Sequence, residues 1–170
     1  MSVWSDASDD FDRKYDTQTD TEGAPGYAGV YHGGHEVGWS GPTGFYFNDF
    51  RAPLAPDESK TWTPICVWAD PTYGGEQMAF SMEADADNPP PADRHYLLEL
   101  LTVPDGVIGA PPEGTVWPLS LDRLFTLVLP AYRTDDGLTG YQFAYTVTAV
   151  PEPEAALLLA LLFLLPRRRR

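Results

Sequence analysis

Leu138-Thr139-Gly140-Tyr141-Gln142-Phe143-Ala144-Tyr145-Thr146-Val147-Thr148-Ala149-Val150 decides the fold class. Tyr141, Phe143, Tyr145, Val147 and Ala149 fall on one side of an extended chain, and Gln142, Ala144, Thr146 and Thr148 on the other. A period of two with one apolar side predicts a strand buried on one face and wet on the other, as antiparallel sheets require. Gln77 to Glu83 repeats the pattern, with Met78, Phe80 and Met82 opposed to Gln77, Ala79, Ser81 and Glu83.

Working outward, Gly44 to Phe47, Thr61 to Ala69, His95 to Val103 and Leu121 to Leu129 are further apolar runs that predict strands. Tyr96, Leu97, Leu98, Leu100 and Leu101 could also line a helix, but the run is short and Thr102-Val103-Pro104 follows it, which favours a strand. Gly74-Gly75, Asn88-Pro89-Pro90-Pro91, Asp105-Gly106, Pro111-Pro112 and Asp135-Asp136-Gly137 separate the runs as turns, the last as a hairpin turn. Six or more short strands spaced in this way predict an all-β, antiparallel β-sandwich of jelly-roll or immunoglobulin-like type over 27–149. Residues 1–26 are acidic and lack apolar periodicity, which predicts an irregular or edge-strand segment.

The chain has 170 residues, with 25 acidic and 11 basic side chains, for a formal charge of −14. Four of the basic residues close the chain, so the remainder is more negative still. Such a surface repels phosphate backbones and argues against a nucleic-acid partner. Cys66 is the single cysteine, so no intramolecular disulfide and no cysteine-based zinc site can form. Its setting in Ile65-Cys66-Val67-Trp68 predicts a buried, inert thiol.

Residues 150–170 differ in kind from the rest. Val150-Pro151-Glu152-Pro153-Glu154 is followed by the wholly apolar run from Ala155 to Leu165, then Pro166 and Arg167, Arg168, Arg169 and Arg170. The prolines stop the preceding strand from continuing. The apolar run predicts a short C-terminal hydrophobic helix, and the arginines behind it suit the cytoplasmic side of a membrane. Eleven helical residues reach roughly 16 Å against a hydrocarbon core of about 30 Å, which favours a transient over a permanent transmembrane anchor.

This order of features resembles the PEP-CTERM sorting signal of proteins exported by Gram-negative bacteria, many of which make exopolysaccharide. The resemblance covers the tail alone. It implies that Pro151, Glu152 and Pro153 are the motif near which the membrane enzyme exosortase acts, and that Arg167 to Arg170 form a cytoplasmic retention cluster. It further implies a transient stay in the inner membrane, then the cell surface or extracellular matrix, with exopolysaccharide as a further partner. Such proteins carry a leader, and none follows Met1. In-frame coding sequence upstream of Met1, encoding a basic-then-apolar leader, is therefore expected.

Chemistry elsewhere is sparse. His32-Gly33-Gly34-His35-Glu36 spaces its imidazoles across a Gly-Gly turn, which predicts a solvated loop and no metal centre. Asp85, Asp87 and Asn88 resemble the start of a calcium loop but lack its glycine and closing glutamate. Glu99 stands alone among leucines, and Gly38-Trp39-Ser40-Gly41 lacks the spacing of a nucleophile elbow, so neither enzymatic activity nor a cofactor is expected. Trp62, Trp68 and Tyr73 are the candidate sugar-stacking side chains. Strand parity places Trp62 and Trp68 on the same side as Cys66, which favours core packing for both indoles. The readings that result are an exported structural or adhesive surface protein, a carbohydrate-binding module with the same tail, and a cytoplasmic protein whose tail docks on a partner.

Overall fold

The structure is a computed structural model that describes residues 2–3, 17–19, 24–32, 40–48, 50–51, 54–55, 58–82, 93–120, 124–133 and 140–150. The elements are β1 (Ser2–Val3), β2 (Thr17–Thr19), β3 (Gly26–His32), β4 (Gly44–Asn48), β5 (Phe50–Arg51) and β6 (Ser59–Ala69). One helical turn, α1 (Pro71–Gly74), precedes β7 (Gln77–Met82), β8 (Arg94–Thr102), β9 (Val116–Leu119), β10 (Phe125–Pro130) and β11 (Tyr141–Ala149). The fold is all-β. A seven-stranded sheet in the order β2-β4-β3-β6-β11-β8-β9 is antiparallel at every pairing, and β7 and β10 form a separate antiparallel ribbon. β1 pairs with β5 in parallel.

β11 lies between β6 and β8, and its alternation sets the core. Tyr141, Phe143, Tyr145, Val147 and Ala149 are all buried in one cluster, while Gln142, Thr146 and Thr148 are partly exposed on the other face. Across the ladders, Val67, Ile65 and Trp62 from β6 and Leu100 and Leu98 from β8 share the buried face. The ribbon presents Met78, Phe80 and Leu129 to the same cluster, with the Phe80 ring stacked on Phe143 at 5.5 Å between centroids. Its other face carries Ala79, Ser81, Thr126 and Val128. Tyr141 ties sheet to ribbon a second way, its hydroxyl donating to the Pro130 carbonyl at 2.9 Å.

The sequence parity of β6 does not survive. Trp62 sits opposite Tyr145 and Ile65 opposite Phe143, so β6 holds one more residue than β11 between these pairs. The extra residue falls at Thr63-Pro64, a cis peptide, where proline's missing N–H is tolerated because the ladder is interrupted. A one-residue insertion reverses the faces. Trp62 therefore joins Ile65 and Val67 in the main core, while Cys66 and Trp68 point to the opposite face, contrary to the expectation that the two indoles lie on one side. Both are buried nonetheless, and so is Cys66, as expected.

On that opposite face Tyr27 lies across Gly29, its hydroxyl donating to the Tyr46 carbonyl at 3.1 Å. A Cβ at Gly29 would meet the Tyr27 hydroxyl directly and the Tyr46 carbonyl oxygen at 2.6 Å. Burial pushes the phenols of Tyr27 and Tyr145 above their ordinary value.

β2 forms one edge of the large sheet. Among the described residues, no helix is long and apolar enough to cross a membrane. The expected C-terminal helix lies outside the described residues.

Two substitutions test this packing. Phe143→Ala should cost about 3–5 kcal/mol, with Thr146→Ala within about 1 kcal/mol of the parent, as read from urea unfolding midpoints. Gly29→Ala should cost about 1–3 kcal/mol by overpacking, and part of that loss should return when Tyr27→Leu is added.

Candidate functional site

Of the three candidate sugar-stacking residues, the structure leaves one accessible. Trp62 is fully buried and tilted against Tyr145 at 5.4 Å, and Trp68 is 4% exposed. Neither indole offers a face to a ligand. Tyr73 is 74% exposed.

Tyr73 stands on a turn built by its own sequence. In Asp70-Pro71-Thr72-Tyr73-Gly74-Gly75, Asp70 caps α1 and Pro71 supplies a first helical residue that needs no N–H partner. The Thr72 N–H and hydroxyl both donate to Asp70 Oδ1, at 2.8 and 2.7 Å. Arg133, arriving after β10, donates from Nη1 to Asp70 Oδ2. The Gly75 N–H closes the turn on the Pro71 carbonyl at 3.0 Å, with φ of +88° that suits glycine. Backbone bonds from Asp70 to Pro25 at 2.8 Å, from Ala69 to Tyr132 at 3.1 Å and from Ala131 to Glu76 at 2.9 Å moor the turn to two neighbouring segments.

Beside this turn is an open, mainly apolar cavity of about 450 Å³, where the starts of β3 and β7 meet the ends of β6 and β10. Pro25, Ala69 and Ala131 give it apolar walls, and Asp70, Tyr73 and Gln77 also line it. At Gly74 and Gly75 an added Cβ would meet nothing within 4 Å. The Thr72 hydroxyl and N–H, followed by Arg133, hold the Asp70 carboxyl below its ordinary value.

The other sequence candidates are placed as follows. His32 ends β3, fully buried and edge-on to Tyr46 at 5.2 Å, so it is not part of a solvated loop. The spacing to His35 misled because β3 runs up to His32 itself. Glu99 lies on the face of β8 opposite the core, across from Ala144. His35, Glu36, Asp85, Asp87, Asn88, the Asp135-Asp136-Gly137 turn, Pro151, Glu152, Pro153 and Arg167 to Arg170 lie outside the described residues. Among the described residues no group of three His, Cys, Asp or Glu side chains could hold a metal ion. Sequence reasoning missed Asp70, Gln77 and Arg133. Asp-Pro-Thr before a Gly-Gly pair is a capping signal that could have found Asp70, whereas nothing local marks Arg133, which arrives from 63 residues away.

The chain matches no protein-family model, and neither curated proteins nor solved structures match it. The site therefore rests on its own geometry.

Because the folded state lowers the Asp70 pKa, ionised Asp70 stabilises the protein at neutral pH, and that contribution fades as pH falls through the folded value. Asp70→Asn should therefore unfold at lower urea than the parent at about pH 7, and the difference should close as pH drops below about 4. A difference that stays constant with pH would show that the charged form is not what holds the turn.

Proposed function

We propose that the chain is an exported protein of the cell surface or extracellular matrix, structural or adhesive in type, delivered by its C-terminal segment. The observation that carries this reading is the order of Val150-Pro151-Glu152-Pro153, an apolar run and four arginines immediately after β11 ends at Ala149. The Val150 N–H still bonds to the Asp93 carbonyl, at 2.8 Å, so the last residue before the motif remains attached to the domain. In this reading the apolar run and Arg167 to Arg170 hold the chain in the inner membrane. Exosortase acts near Pro151, Glu152 and Pro153, and a β-sandwich of jelly-roll or immunoglobulin-like type is released outward. The surplus of negative charge keeps such a domain soluble and away from phosphate polymers. A second reading, a carbohydrate-binding module with the same tail, is favoured by the exposed ring of Tyr73 beside a cavity.

The intact mass of the protein, measured from surface and membrane fractions of its native cells, tests the export reading. The expected result is a surface form lacking everything beyond the Pro-Glu-Pro region. An uncut chain recovered from the cytosol overturns it.

A further inference from the structure

We propose that the cavity beside Tyr73 is a subsite for one neutral pyranose unit of a glycan chain, with Tyr73 as its stacking platform. A sugar ring has an apolar face of C–H bonds and a rim of hydroxyls. The site has a matching division: Tyr73 with apolar residues Pro25, Ala69 and Ala131, and the amide-bearing Gln77, exposed at its edge. An exposed aromatic ring alone is ordinary. Here the ring sits on a turn held by the Asp70 cap, the Arg133 ion pair and backbone bonds to two other segments, so little loop ordering remains to oppose binding. Tyr73 is 74% exposed, so it is accessible to a ligand from solvent.

The geometry also narrows the ligand. A cavity of about 450 Å³ that is open to solvent has room for a sugar ring and leaves the rest of a longer chain in water. A formal charge of −14 repels uronate-bearing or sulfated polymers, and the nearby Arg133 guanidinium is paired with Asp70. A neutral glycan is the class that remains. The proposal deepens the carbohydrate-binding reading and does not depend on the tail. Failure of sugar binding leaves the export reading intact, and failure of tail processing leaves this one intact.

Titration of the full chain with cellohexaose, mannohexaose, glucose and hexagalacturonate, followed by amide chemical shifts, tests it. Saturable binding of at least one neutral hexaose is expected with a dissociation constant on the order of 0.1–1 mM. Tyr73→Ala should weaken it about tenfold or more, Tyr73→Phe should stay within about threefold, and Gln77→Ala should weaken it about threefold. Because Tyr73 and Gln77 are exposed, unchanged melting temperatures are expected for all three variants and separate binding from folding. Glucose binding as tightly as the hexaoses, with the same Tyr73 dependence, also supports the site and assigns it a single-unit ligand. The absence of binding by every neutral probe at about 10 mM, equal binding by Tyr73→Ala, or tighter binding of hexagalacturonate overturns the proposal.

Discussion

The single extra residue in β6 between Trp62 and Ile65 is the constraint on which the rest of the large sheet depends. With strict alternation throughout β6, Trp62 would share a face with Cys66 and Trp68, and Tyr145 would lose the indole that it packs against. The insertion lets one strand serve both faces. Its first half gives Trp62 to the main core. Its second half gives Ile65 and Val67 to that core, and Cys66 and Trp68 to the side covered by Tyr27. The irregularity has a local cause, since Pro64 cannot donate to a ladder in the middle of a sheet.

That same residue marks the limit of what could be read from the chain alone. Strands with a clean period of two, β7 and β11, were legible to within one and three residues respectively, because burial on one face leaves a direct trace in composition. β3 was not legible. Its Gly26, Ala28 and Gly29 carry almost no apolar signal, and it forms a strand because β4 and β6 take up its backbone groups on both sides. β9 was missed for a related reason: four residues with a proline among them become a strand only beside β8. The faces of β6 failed because parity arithmetic assumes an uninterrupted ladder.

The candidate site divides along the same line. Tyr73 was visible as an aromatic residue next to a Gly-Gly turn. Its accessibility was not, because a turn residue has no strand parity to read, whereas parity with Cys66 already favoured the interior for Trp62 and Trp68. The Asp70–Arg133 pair joins segments that become neighbours only when β6 and β10 end side by side. The sheet and ribbon thus act on the site indirectly, by bringing four strand ends to one place where a short capped turn can be moored.

The far side of the large sheet carries a different consequence. Among the described residues it ends in β9, four residues long, with Pro118 facing Leu97. A long, regular edge would invite a strand from a neighbouring copy, and stacked copies would grow into fibrils. A short edge that lacks one N–H offers a broken template, so addition on that side ends almost as soon as it starts. Combined with strong like charge, it lets many copies crowd together while each keeps its own fold.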